Sequence, residues 1–229
     1  MEKLKITFKK ASRELSNVNS LSSICKRKEY AIDFSRNAPA NKQNCVFIDK
    51  SGFSLHLRRN GARSRIGNRA KIILQPNRGR NVTLICAMNS QKIIHYKIVD
   101  EGTCNNKKFG EFLLELISIL NADASFINAW LILDNAQIHK TLAIRNMFAD
   151  TPYTLKFLSP YSYMLNPIEN AFSKIKATAK SLLANSNGIT LRNIIISGVE
   201  SVQGEDCINY IFNMLNNISL AITETNFNV

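Results

Sequence analysis

Four apolar residues in a row, Trp130-Leu131-Ile132-Leu133, run directly into Asp134. A short unbroken apolar run with polar neighbours predicts a buried strand that delivers its next residue, here a carboxylate, at its C-terminal end. Cys45-Val46-Phe47-Ile48 repeats the arrangement and ends on Asp49. A third acid is placed differently. In Asn166-Pro167-Ile168-Glu169 the sequence opens a helix: Asn suits the cap, Pro the first position and Glu the first turn.

The remaining elements follow in order. Residues 1–40 are basic and predict two short helices, Thr7 to Leu15 and Ser20 to Phe34, the second with Leu21, Ile24, Tyr30 and Phe34 as its apolar positions. Ala38-Pro39-Ala40-Asn41 reads as a linker, which makes this segment a helical arm and 41–229 the main domain. After the Asp49 strand, Ser51-Gly52 suggests a turn into a second strand, Phe53 to Leu57. Strands are expected at Asn81 to Met88 and Ile93 to Val99, a helix over Asn105 to Leu120, and a helix near Lys140 to Phe148. Then come a strand at Thr154 to Leu158, the Glu169 helix to about Leu183, and helices near 190–201 and 206–222. Early strands on short connections and later ones separated by helices predict an α/β mixed sheet, antiparallel first and parallel afterwards.

Sites in such sheets lie at the carboxyl ends of strands. If the Asp49 and Asp134 strands are adjacent and parallel, their acids emerge together. Glu169 joins them if its helix packs back through Ile168, Phe172 and Ile175. Hard oxygen ligands suit Mg²⁺ or Mn²⁺, and two such ions can clamp the attacking and leaving oxygens of a phosphoryl transfer. Each acid also has a structural use: Glu169 could complete a capping box with Asn166, Asp134-Asn135 could be a strand-end turn, and Asp49 a surface turn acid. His139 falls near the site, with capping or packing as the alternative role.

The charge balance points to the substrate. The chain has 229 residues and a net charge of +13, an excess that fits a polyanionic partner. Arg58, Arg59, Arg63, Arg65, Arg69, Lys71, Arg78 and Arg80 crowd one Gly-containing stretch with no acid among them. These residues, with Lys174, Lys176 and Lys180 on the Glu169 helix, are the candidate DNA-backbone contacts. A merely solvated basic surface is the competing reading. Five scattered cysteines without a C-x-x-C pair argue against a disulfide framework or a zinc site and for a reducing compartment. With no apolar run of membrane-spanning length, a soluble protein is expected, nuclear in a eukaryote and cytoplasmic otherwise.

In order, FIDKSGF, RGRNVTLICAM, LILDNAQIHK and FLSPYSYMLNPIENAFSKIK resemble the DDE transposases of the mariner superfamily, over about residues 44–185. Between Asp134 and Glu169 lie 34 residues, an interval typical of one branch of that superfamily. The resemblance implies a ribonuclease H-like fold with Asp49, Asp134 and Glu169 as catalytic and metal-binding acids. It further implies two Mg²⁺ (or Mn²⁺) ions, double-stranded DNA as transposon ends and target, and a homodimer in the active complex. Three departures stand out. Lys50 occupies a position usually held by Glu, Ser159 and Tyr163 replace usual prolines, and only ITFKKASREL and KRKEYAIDFS resemble the end of the family's helix-turn-helix region. The expectation is a catalytic domain lacking most of that module. A catalytically inactive, transposase-derived DNA-binding protein is the alternative, and a ribonuclease H-like nuclease on another nucleic acid a third.

Overall fold

The computed structural model describes residues 17–54, 65–68, 81–100, 104–185 and 190–227. Five strands form one sheet in the order β3-β2-β1-β4-β5. They are β1 (Cys45–Phe53), β2 (Val82–Met88), β3 (Ile93–Val99), β4 (Trp130–Leu133) and β5 (Thr154–Phe157). β1, β2 and β3 pair antiparallel; β1, β4 and β5 pair parallel. The six α-helices are α1 (Leu21–Asn37), α2 (Asn106–Asn121), α3 (Leu142–Phe148), α4 (Ile168–Asn185), α5 (Leu191–Glu200) and α6 (Gly204–Ile222). The expected α/β mixed sheet is therefore present.

Alternation along the strands decides which helices lie on which face. Cys45, Phe47 and Phe53 of β1 and Trp130 and Ile132 of β4 join one core with residues of α1, α4, α5 and α6. Val46 and Ile48, with Leu131 and Leu133, join the opposite core with α2 and α3. Successive strand side chains point to opposite faces. The odd residues of β1 and the even residues of β4 therefore share the α4 side. Asp49 and Asp134 have those parities.

Two sequence expectations are corrected. Ser51-Gly52 is not a turn: β1 continues through it, with Ser51 opposite Leu84 and Gly52 opposite Thr83 on β2. A long antiparallel partner outweighs the local turn preference of a Ser-Gly pair, so β1 runs through to Phe53 where a turn was expected. Residues 55–57 of the expected second strand, and the Thr7–Leu15 helix, lie outside the described residues. In α1 the inward stripe is Ser23, Arg27, Ala31 and Phe34, while Leu21 is 83% exposed. Buried Arg27 donates to the Val18 carbonyl at 3.1 Å and lies 4.8 Å from the centroid of the Phe227 ring. Its aliphatic stem packs while its head is bonded, so an arginine takes a place that the apolar pattern assigned elsewhere. Through this face α1 packs on α6 and the main core.

All five cysteines are free, and four of them are buried. No helix among the described residues is long and apolar enough to cross a membrane.

Candidate active site

The last register pair between β1 and β4 is Ile48 with Leu133. One residue further on each strand stand Asp49 and Asp134, so parallel pairing places the two acids side by side. Asp49 lies within β1 rather than at its end, because β1 runs on against β2. Glu169 reaches the same place from the first turn of α4, whose Ile168, Phe172 and Ile175 are buried against the sheet. All three acids line one cavity of about 350 Å³. Its other walls come from the segment between β5 and α4, chiefly Pro160, Tyr161, Tyr163 and Asn166, and from Asn135 and Ala136 after β4.

Asp49 and Asp134 are held by specific groups. Asp49 is 8% exposed; its Oδ1 accepts the Lys50 backbone N–H at 2.7 Å and its Oδ2 accepts Asn166 Nδ2 at 2.9 Å. Burial pushes its carboxyl up to about 7; Asp134 and Glu169 add to the rise, against the Lys50 N–H and the Lys50 charge. Asp134 moves the other way. Partial burial would raise it, but His139, the Ala136 N–H and the Lys50 charge together hold it below the ordinary range. The His139 Nε2 lies 3.0 Å from Asp134 Oδ1, and the Ala136 N–H donates to the same oxygen at 3.2 Å. For Glu169, partial desolvation raises the carboxyl, Lys176 opposes the rise and Asp134 adds to it.

Sequence reasoning missed how two neighbours act. Asn166 was expected to cap α4, yet its amide turns inward to Asp49 and its Oδ1 has no partner. A buried carboxylate left without a donor costs more than a first helical turn that Pro167 already relieves of one N–H. His139 lies near the site, as its spacing suggested, and it combines packing with polar contact. The ring is 1% exposed, 4.3 Å from the Phe109 ring centre, and bonded to Asp134. The turn Gln137–Lys140 folds it back there, and no periodic signal in the sequence announces that turn.

Tyr161 is the other unforeseen feature. Its φ is +53°, a conformation that costs a bulky residue roughly 1–3 kcal/mol. A hydrogen bond between Ser159 and Ser162 hydroxyls at 2.7 Å, and one from Ser162 to the Pro160 carbonyl at 3.1 Å, close the loop around it. These two serines show what the proline-to-serine departure at 159 supplies: a side-chain bond in place of ring stiffness.

The basic candidates divide. Arg65 is exposed, whereas Arg58, Arg59, Arg63, Arg69, Lys71, Arg78 and Arg80 lie outside the described residues. Lys176 and Lys180 are half-buried on α4, the former 5.7 Å from the Phe53 ring centre. Lys174 is occupied by an ion pair with Asp206 of α6 at 2.6 Å.

Hard carboxylate oxygens around a cavity are the donor chemistry that magnesium or manganese takes, and unscreened mutual repulsion is what such an ion would relieve. Among the described residues, however, no group of three acids, histidines or cysteines stands close enough to hold one ion. The protein's own donors engage the carboxylates instead, with both Asp49 oxygens capped.

A family model described as DDE superfamily endonuclease matches residues 44–191, well over half of the chain. This chain belongs to that family. No curated protein matches it in sequence. Among solved structures it is similar to the Mos1 transposase paired-end complex with left transposon end, at 15% identity and a TM-score of 0.77. That match covers 96% of this chain and 68% of the other. The catalytic domain of Mos1 mariner transposase matches at 13% identity and a TM-score of 0.67, over 95% of this chain and 99% of that one. The mariner Mos1 paired end complex with Mg matches at 16% identity and a TM-score of 0.75, covering 99% and 68%. The fold is the ribonuclease H-like fold of transposase catalytic domains.

Proposed function

We propose that this chain is a DDE transposase catalytic domain that cleaves DNA strands at transposon ends and transfers the freed 3′-hydroxyl into target DNA. The observation that carries the reading is the meeting of Asp49, Asp134 and Glu169 at one cavity, from three elements far apart in sequence. Residues 41–229 carry the catalytic domain in this reading, and α1 of the preceding arm is docked on it through α6.

Brought closer together than they stand here, Asp49, Asp134 and Glu169 would hold two Mg²⁺ or Mn²⁺ ions, which would supply activation of the attacking oxygen and stabilisation of the departing 3′-oxygen. The chain's own groups set the conditions for this. His139 and the Ala136 N–H hold Asp134 ionised on its Oδ1 side, and Asn166 fixes the Asp49 carboxylate. Lys176 offsets the Glu169 charge, and with Lys180 and the arginines of 58–80 it offers cations to the DNA backbone. Mos1 forms paired-end complexes with transposon DNA. A homodimer pairing two ends is the corresponding assembly proposed here.

Metal-dependent nicking of supercoiled plasmid tests the reading. The chain is expected to nick in Mg²⁺ and not in EDTA, and Asp134→Ala is expected to fall to the level of DNA alone. Lys50 favours one competing reading, an inactive DNA-binding protein, because its charge acts on both Asp49 and Asp134 where a metal would have to bind. Equal, metal-independent background from both forms, with DNA binding intact, would establish that alternative. Affinity for a duplex is also expected to fall at least about a hundredfold between about 50 and 200 mM salt, as released counterions require. A flat salt response would remove the arginines and lysines from the interface.

A further inference from the structure

The short turn Tyr163–Leu165, which leads through Asn166 into α4, is held by groups from outside the sheet. Met164 stands in its middle, and two helices distant in sequence reach it. Arg27 of α1 donates its Nη1 to the Met164 sulfur at 3.7 Å, and Asn217 of α6 donates its Nδ2 to the Met164 carbonyl at 2.9 Å. Just before α1, Asn17 donates its Nδ2 to the Tyr161 hydroxyl of the same loop at 3.5 Å.

Arg27 is the member of this set that packing alone does not explain. It is 1% exposed and shares the inward stripe of α1 with Ser23, Ala31 and Phe34. Besides Met164 it bonds the Val18 carbonyl, through Nη2 at 3.1 Å, and lies against the Phe227 ring. None of these three partners is a carboxylate. A buried cation with neutral partners costs stability that an apolar side chain of similar length would not. What a guanidinium alone provides is a rigid fork, here with one nitrogen on the segment entering α1 and the other on the turn.

Two of the acids depend on where that turn lies. Asn166 leaves it and bonds Asp49 at 2.9 Å, and Glu169 stands in the first turn of the helix that follows. A displaced turn therefore moves the donor on Asp49 and the start of α4 together. Asp134 keeps its separate supports, His139 and the Ala136 N–H.

We propose that Arg27 is a positioning residue for strand cleavage: by bridging Val18 to Met164 it makes the docked α1 arm fix the turn that places Asp49 and Glu169. The assignment deepens the DNA-cleaving reading above, and its first test does not depend on cleavage.

Arg27→Met keeps the stem and removes the fork. In the turn, Leu165 N–H bonds the Ser162 carbonyl and Asn166 N–H bonds that of Tyr163. Hydrogen exchange of these amides, read by mass spectrometry, is expected to quicken at least about tenfold in Arg27→Met. The thermal midpoint should stay within about 5 °C of the parent, since the buried charge goes with the bond. Asn217→Ala, which removes the other support, should quicken the same amides. Phe34→Leu loosens α1 in the core without touching the turn, and exchange there should stay within about twofold of the parent. In plasmid nicking, Arg27→Met should lower kcat at least about tenfold and leave KM within about twofold, because a buried residue misplaces the acids without meeting DNA. Phe34→Leu should keep the parent kcat. If Arg27→Met leaves exchange in the turn unchanged, if Phe34→Leu matches its losses, or if kcat holds or rises while exchange quickens, the positioning role is overturned. If the parent itself does not nick, the cleavage reading fails and the role in cleavage with it, while the exchange data still show whether Arg27 holds the turn.

Discussion

Asp49→Asn is expected to abolish metal-dependent nicking and, in EDTA at pH 8, to raise the thermal midpoint by about 5 °C. Both effects come from the same cause. The carboxyl is 8% exposed, stands with Asp134 and Glu169 around one cavity, and is pushed up to about 7. A group whose folded-state value is raised contributes stability only as the protonated form. That contribution is fully present below about pH 4, is lost as pH rises through the interval, and is gone above about pH 7. At pH 8 the folded protein carries the whole cost of the buried charge, on the order of 2 kcal/mol or more. The amide removes the charge and keeps the shape. Its oxygen can still accept the Lys50 N–H, and Asn166 can turn its amide so that the unpartnered Oδ1 accepts the new N–H. The gain should vanish near pH 4, where both forms are neutral. A melting series across pH with a nicking assay alongside checks the prediction; retained nicking, or a stabilisation independent of pH, would contradict it. In the proposed reading, function costs stability at this residue, as it commonly does where like charges are gathered for chemistry.

Phe172→Ala is expected to cost about 3–5 kcal/mol, lowering the thermal midpoint by roughly 10 °C. Phe172 is 2% exposed and lies in the core with Phe47, Ile168 and Ile175. It sits one turn beyond Glu169 on the helix that must press against the sheet if the third acid is to reach the cavity. Truncation leaves a void under that turn, so nicking should also decline below the melting transition as Glu169 loses its position. Phe172→Leu, which fills most of the volume, should lose much less of both. Urea denaturation gives the stability change, and a loss under about 1 kcal/mol for the alanine form would mean that α4 is anchored elsewhere.

The contrast between Asp49 and Asn166 shows how far the sequence could be read. Asp49 was legible because an apolar run before an acid encodes burial and direction at once. Its exact setting was not, since Ser51-Gly52 reads locally as a turn and only pairing with Thr83 and Leu84 carries the strand through it. At Asn166 the local rules point to a helix cap, but the amide serves a carboxylate that stands 117 positions away in sequence. His139 follows the same logic. Its proximity to Asp134 could be counted along the chain, while its burial against Phe109 and its bond to Asp134 required α2 and the turn after β4 to be in place.

By itself the sequence determined the apolar runs that end on Asp49 and Asp134, the helix opening that carries Glu169, and the positive charge suited to a phosphate backbone. Tertiary structure alone decided which donors hold each acid, why Arg27 rather than Leu21 is the buried residue of α1, and why tyrosines crown the cavity. The reason is one of range. Backbone geometry and alternating burial are set within a few residues and leave a periodic trace. The partner that satisfies a buried charge or covers a ring arrives from another part of the chain, and nothing in the local pattern names it.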